Sequence, residues 1–280
     1  MQQISAHAKS LENEQHYLDA REEWNSALKL LPASSQQAAW IRDKVAELDR
    51  TASAWAGMGQ AANEQPNFVR TSAGAFVVSF ALFILFESLY GGLKFGIGFS
   101  VLILIHEFGH FIDIRRRGLK ADLPMFLPGL GAFVRFRSAL ISRELRAGVS
   151  LAGPMAGLLS AIACAVTWYV TQDKFWASLA QSGAWLNLLN LTPVWILDGG
   201  QAASALGKLP RIVLAVAAIV MWRVTGESVY FVVAGGALFR TFTKDTPNDS
   251  STLIAVYFAA LIILLGTVMY FVPGNGFGIQ

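Results

Sequence analysis

The chain has 280 residues, of which 54% are hydrophobic and only 15% are charged. Soluble domains usually carry about 25% charged residues, so the composition argues against a soluble globular protein and indicates one largely embedded in a membrane. The net charge of +3 is small, and the single cysteine, Cys164, excludes both a disulfide within the chain and a zinc site built from cysteines.

Residues 1–50 are polar and have the periodicity of helices. Apolar residues recur at three- and four-residue steps in two stripes, which predicts a small cytoplasmic α-helical hairpin. The stripes comprise Tyr17, Ala20, Trp24, Ala27, Leu28 and Leu31, then Ala38, Ile41, Val45 and Leu48. The segment from Ala8 to Pro32 resembles one tetratricopeptide repeat, and a single repeat buries its apolar face poorly. Two roles of this hairpin stay open: it could pack only on itself or on the membrane core, or it could dock a protein partner. Residues 51–72 are predicted to be a linker.

Seven apolar runs follow, and a membrane-spanning helix needs about 20 mainly apolar residues. They predict an all-α polytopic membrane protein with about six to seven transmembrane helices. Residues 73–206 would form the membrane core, and residues 207–280 would add further transmembrane segments. The runs are Ala73–Tyr90, Ile97–Ile114, Gly148–Val170, Ala184–Leu206, Ile212–Trp222, Val229–Phe239 and Thr252–Val272.

The positive residues predict the orientation in the membrane, because cytoplasmic loops are enriched in Lys and Arg. The loop from Arg115 to Arg146 holds eight of them, and with seven spans the tally is 13 on this side against 3 on the other. The N-terminus is then cytoplasmic. Membrane topology accounts for the basic loop, so no nucleic-acid partner is expected, and the compact core favours a prokaryotic plasma membrane.

The apolar run Ile97–Ile114 contains His106-Glu-Phe-Gly-His110. Two histidines four residues apart lie on one face of a helix and can bind one metal ion. Ionisable groups at membrane depth are costly and mark functional sites. The motif therefore predicts a metal centre inside the bilayer.

A third protein ligand must be a carboxylate, because the other two histidines, His7 and His16, lie in the polar N-terminal region. Two histidines, one carboxylate and an open position form a known catalytic zinc set. Glu107 points about 100° away from His106 around the helix, whereas Glu87 and Asp113 fit interfacial positions. Asp198 is left as the third ligand of one Zn²⁺ per chain, and Glu107 becomes the general base for amide hydrolysis.

Two other functions remain open at this point. The same ligands could serve a membrane metal transporter or metal sensor, although the other spans offer few polar residues for a path. The chain could also be an inactive scaffold that presents its N-terminal helices to partners. Replacing Glu107 by Gln separates these alternatives from a protease.

Three motifs together resemble the site-2 protease family of intramembrane zinc metalloproteases. They are His106-Glu-Phe-Gly-His110, Leu151-Ala-Gly-Pro-Met-Ala-Gly157, and Asn190-Leu-Thr-Pro193 leading to Leu197-Asp-Gly199. The resemblance implies zinc bound by His106, His110 and Asp198, with Glu107 as the base. It also implies substrates that are transmembrane segments of other proteins, cleaved in regulated intramembrane proteolysis.

The resemblance extends to two further features. Asn190 would help to hold the substrate or the oxyanion, although an Asn before Pro193 could instead cap a helix. Residues 123–136 would form a membrane-associated β-hairpin beside the active site, or a re-entrant loop of purely structural use. A PDZ domain, present in some family members, is not expected.

Overall fold

A computed structural model describes residues 2–13, 17–61, 72–135, 141–194, 196–243, 246–247 and 250–274. In chain order its helices are α1 (Gln2–Asn13), α2 (Tyr17–Leu28), α3 (Gln36–Ala61), α4 (Ala73–Arg116), α5 (Arg143–Thr171), α6 (Lys174–Asn190), α7 (Asp198–Ala203), α8 (Lys208–Thr225), α9 (Val229–Thr241) and α10 (Thr252–Phe271). Strands β1 (Met125–Leu127) and β2 (Gly131–Phe133) lie between α4 and α5. The predictions for His16, linker residues 62–71, Phe136, Trp195 and Lys244 lie outside the described residues.

The chain divides into two compact units, residues 1–70 with 137–145, and residues 71–136 with 146–280. In the first unit, α1 packs on α2 and α2 packs on α3, so the predicted hairpin is a set of three helices. The predicted stripes form its core around Trp24, which is 2% exposed. Helix α3 continues to Ala61, so the predicted linker begins as helix, because its alanines favour helical backbone.

Helix α4 contains two predicted runs and is interrupted at Gly92, whose φ of 77° lies in the left-handed region that favours glycine. The chain reverses there, because Ser88 and Gly96 are in contact. Phe83 and Ile103 also share one apolar cluster, although 20 residues separate them. We name the two arms α4a (73–91) and α4b (93–116). They form a helical hairpin, and α4b carries the two motif histidines.

Helix α6 packs along α4b with a constant offset of 81 residues, so the two helices are parallel. The contacting pairs are Gly98 with Leu179, Leu102 with Gly183, and His106 with Asn187. Glycine at 98 and 183 leaves room for the facing leucines. At the start of α6, Lys94 pairs with Asp173 at 3.6 Å, so the reversal of α4 and the beginning of α6 lie at the same end.

The prediction of one membrane-spanning helix over Ala184–Leu206 is wrong, because two helices separated by a loop occupy this range. Its first residues are the second half of α6, which begins at Lys174 and ends at Asn190. A loop follows, and only then the short helix α7. The break has a local cause, because Pro193 has no N–H to donate and disfavours helical backbone at the residue before it.

Strands β1 and β2 pair antiparallel, with Met125 opposite Phe133 and Leu127 opposite Gly131. This confirms the predicted β-hairpin within residues 123–136. Phe126 is 1% exposed and packs among three phenylalanines of α4a: Phe76, Phe80 and Phe83. The hairpin is therefore fixed to the first arm of α4.

Within the described residues, three helices are long and apolar enough to cross a membrane: α4, α5 and α10. Helix α9 is apolar but shorter, with 13 residues. The length and apolar composition of α4, α5 and α10 indicate an integral membrane protein. The predicted total of six to seven spans stays a prediction.

Candidate metal centre

His106 and His110 lie one turn apart on α4b, and each ring is fixed by its Nδ1 atom. His106 Nδ1 is 2.7 Å from Asn187 Oδ1, and His110 Nδ1 is 2.9 Å from the backbone oxygen of Val149. Asn187 donates its amide N–H to the oxygen of Gly183, which orients Oδ1 towards His106. Both oxygens can only accept, so Nδ1 carries the proton in each neutral ring. The lone pair of each imidazole is then on Nε2, as a metal ligand requires.

Asp198 is the first residue of α7, and its carboxylate faces both Nε2 atoms. Its oxygens lie 3.1 Å from His106 Nε2 and 3.3 Å from His110 Nε2, and the two nitrogens are 3.2 Å apart. The three side chains form a group able to hold a metal ion. When both imidazoles are neutral, only acceptor atoms converge here, so a cation is needed to offset their repulsion.

The spacing of these atoms fits a tetrahedral ion. Zinc binds histidine nitrogen and carboxylate oxygen at about 2.0–2.1 Å, which holds ligand atoms about 3.3–3.4 Å apart. The observed 3.1, 3.3 and 3.2 Å are close to that value. The donor set of two imidazoles and one carboxylate leaves a fourth position for water or substrate.

Helix α5 approaches this group closely because it has glycine at two contact positions. A Cβ at Gly153 would lie 2.2 Å from His110 Nε2 and 2.8 Å from His106 Nε2. A Cβ at Gly157 would lie 2.1 Å from Asn187 Oδ1. Residues 151–157 therefore pack directly against the histidines and their hydrogen-bond partner.

Glu107 is next to the three candidate ligands. Its side chain is 5% exposed and interacts electrostatically with His106, His110 and Asp198. Asn190 is the last residue of α6 and is partly buried, one turn beyond Asn187 on the same side of the helix.

The two carboxylates set aside as ligands lie elsewhere on α4. Asp113 pairs with Arg116 at 2.8 Å and with Arg117 at 2.6 Å, so its carboxylate is bound by arginines and not by the histidines. Glu87 is partly buried on α4a, near the reversal at Gly92.

Sequence reasoning missed the residues that hold the imidazoles in place. Asn187 is three residues before the motif asparagine Asn190, and no spacing rule singled it out. The parallel packing of α4b and α6 brings it to His106. The oxygen of Val149 belongs to the backbone and leaves no signal in a sequence.

The chain was compared with known proteins. Residues 94–173 match peptidase family M50. The similarity to this family of proteases covers 80 of the 280 residues. The match confirms the predicted resemblance over the M50 segment, which contains His106, Glu107, His110 and Gly153 but ends before Asn187 and Asp198.

Two curated relatives are similar to part of the chain. One from Arabidopsis thaliana, named probable zinc metalloprotease EGY1, chloroplastic, is 33% identical over 79 residues. A protein of the same name from Oryza sativa subsp. japonica is 34% identical over 65 residues. The matches cover 26% and 21% of this chain but only 14% and 11% of the relatives. No solved structure matches the chain significantly.

Proposed function

We propose that the protein is a zinc metalloendopeptidase that hydrolyses peptide bonds in or near transmembrane segments of other membrane proteins. One observation carries the proposal: two Nε2 atoms with oriented lone pairs converge with the Asp198 carboxylate in an apolar helical unit. The match of residues 94–173 to peptidase family M50 supports the reaction type. Physiological substrates would be cleaved in regulated intramembrane proteolysis.

In this proposal His106, His110 and Asp198 hold one zinc ion per chain. When bound, zinc makes water more acidic and polarises a substrate carbonyl. Glu107 accepts a proton from the attacking water, whose oxygen bonds to the carbonyl carbon. Glu107 then delivers that proton to the amide nitrogen as the carbon–nitrogen bond breaks. The low exposure of Glu107 keeps bulk water away from this transfer.

Two further roles belong to the same proposal. Asn190, beyond the helical turn that fixes His106, would hold the substrate backbone or the developing oxyanion. The β1–β2 hairpin is fixed to α4a, and its exposed edge could pair with an extended substrate strand. A transmembrane helix must unwind locally before it can pair in this way, since an intact helix keeps its amides bonded.

The proposed orientation places the N-terminal unit and the basic loop in the cytoplasm of a prokaryotic cell. Arg211 and Arg240 are buried, so they do not count as loop charges. Eleven positive residues then remain on the cytoplasmic side and three on the opposite side, which still favours this orientation. The N-terminal helices would offer a surface to a protein partner. Helices α6, α8 and α9 would supply the additional spans.

The test is cleavage of a single-span substrate by the purified protein in detergent. Glu107→Gln should lower the cleavage rate by about 10²–10⁴-fold and keep about one zinc per chain. Glu87→Gln is the matched control on the same hairpin, and it should cleave like wild type. If Glu107→Gln cleaves normally, the proposed base is wrong. Transport of metal that persists in Glu107→Gln would favour the transporter.

A further inference from the structure

Two arginines of the C-terminal helices are buried although each carries a full charge. Arg211 on α8 is 0% exposed and Arg240 on α9 is 4% exposed. Both lie after Leu206, where the sequence offers no family motif. Burial of a guanidinium is costly unless its N–H groups are satisfied, so their contacts indicate what these helices do.

Arg211 binds the end of the helix that carries Asp198. Its Nε and Nη2 atoms both donate to the oxygen of Ala203, at 3.1 and 2.7 Å. Its Nη1 atom donates to the backbone oxygen of Arg240 and, at 3.0 Å, to Thr246 Oγ1. One guanidinium thus connects α8, the end of α7 and the end of α9. A cation there also complements the negative end of α7.

Arg240 and Gly236, one turn apart on α9, contact the chain on either side of Asp198. Arg240 donates to the oxygen of Gly200 at 3.1 Å. A Cβ at Gly236 would lie 3.1 Å from Pro193 Cδ, so α9 lies directly against the loop before α7. This face of α9 therefore supports both the entry to α7 and its first turn.

We propose that Arg211 and Arg240 are positioning residues that hold the Asp198 carboxylate at the two histidines. Helix α7 has six residues, far fewer than the roughly 12–15 at which an isolated helix becomes even marginally stable. Its location depends on outside contacts, and two of its backbone oxygens are bound by these arginines. The C-terminal helices are thus part of the metal centre's scaffold. This inference rests on the metal centre of the proposed function.

The test measures metal binding separately from proteolysis. Full-length protein in detergent is stripped of metal and titrated with Co²⁺, whose visible absorption reports the ligand geometry, and the dissociation constant is measured by chelator competition. Arg211→Met and Arg240→Met should each weaken Co²⁺ binding about tenfold or more. Arg223→Met is the matched control, because Arg223 is an exposed arginine at the far end of α8.

Arg211→Lys keeps the charge but lacks the planar fork of donors that Arg211 directs at Ala203, Arg240 and Thr246 together. Its Co²⁺ affinity should therefore fall between wild type and Arg211→Met. A glycine pair provides a test that does not remove a buried charge. Gly235→Ala places a methyl group in open space, whereas Gly236→Ala places it against Pro193. Both changes favour helix equally, so only Gly236→Ala should weaken Co²⁺ binding and alter the spectrum.

If the methionine variants do not fold, Arg211→Lys and the glycine pair decide the question. Folded Arg211 and Arg240 variants with wild-type affinity and spectrum would overturn the proposal, as would equal affinities for the two glycine variants. Wild type that binds Co²⁺ but cuts no substrate would contradict the protease and leave the positioning role testable. Wild type that binds no Co²⁺ would overturn both.

Discussion

Gly153→Ala should abolish the metal centre by displacing one ligand atom. The added Cβ would lie 2.2 Å from His110 Nε2, about 1.2 Å short of ordinary contact at 3.4 Å. Metal–ligand distances tolerate changes of about 0.2 Å, so the required displacement is several times larger than the site can absorb. The ring cannot tilt freely, because Nδ1 is bonded to Val149. We expect zinc affinity to fall by at least about 100-fold.

The assay is zinc content after dialysis against a chelator of known affinity, with thermal unfolding of the metal-free protein measured alongside. Gly148→Ala is the control on the same helix, because its Cβ would meet only the flexible end of Arg117, at 3.1 Å. Metal-free Gly153→Ala should unfold no earlier than Gly148→Ala if the defect is local. Wild-type zinc affinity in Gly153→Ala would refute the packing of α5 on His110.

Two further substitutions, Asn187→Ala and Lys44→Met, each remove one contact seen in the structure. Asn187→Ala removes the acceptor for His106 Nδ1 and should weaken zinc binding about 10–100-fold; chelator competition measures this, and an unchanged affinity would contradict the role. In the N-terminal unit, the hydrogen bond to Glu12 raises the pKa of Lys44 above its ordinary value of 10.5. The stabilisation is therefore complete below pH 10.5 and is lost as the pH rises through the higher folded value. The difference in melting temperature between wild type and Lys44→Met should shrink over that range, and a constant difference would contradict it.

Local pattern predicted much of the fold, because most of its determinants are short-range. Helical periodicity located the core residues around Trp24, whereas the β-hairpin was expected only from the resemblance to the site-2 protease family. The sequence did not reveal that α6 begins at Lys174, since the apolar run around Ala184 conceals the true helix start. The reversal at Gly92 was seen only as a gap between two apolar runs.

The candidate ligands were predictable because each carries its chemistry in its own side chain. His106, His110 and Asp198 were inferred from residue type, spacing and the cost of burial, and the structure brings them together. Their supports were not predictable in this way. Arg211 was counted as a loop charge, yet it is buried on backbone oxygens that no sequence pattern marks.

The neutral character of the groups that bind the imidazoles has a consequence for charge balance. Asn187 and the Val149 backbone oxygen bring no charge, so a divalent ion with Asp198 and Glu107 as carboxylates would make the cluster electroneutral. An aspartate in place of Asn187 would leave an uncompensated negative charge in a region of low dielectric constant, where burying a charge is costly. Electroneutrality would let the proposed hydrolytic centre remain at membrane depth without a counterion drawn from water.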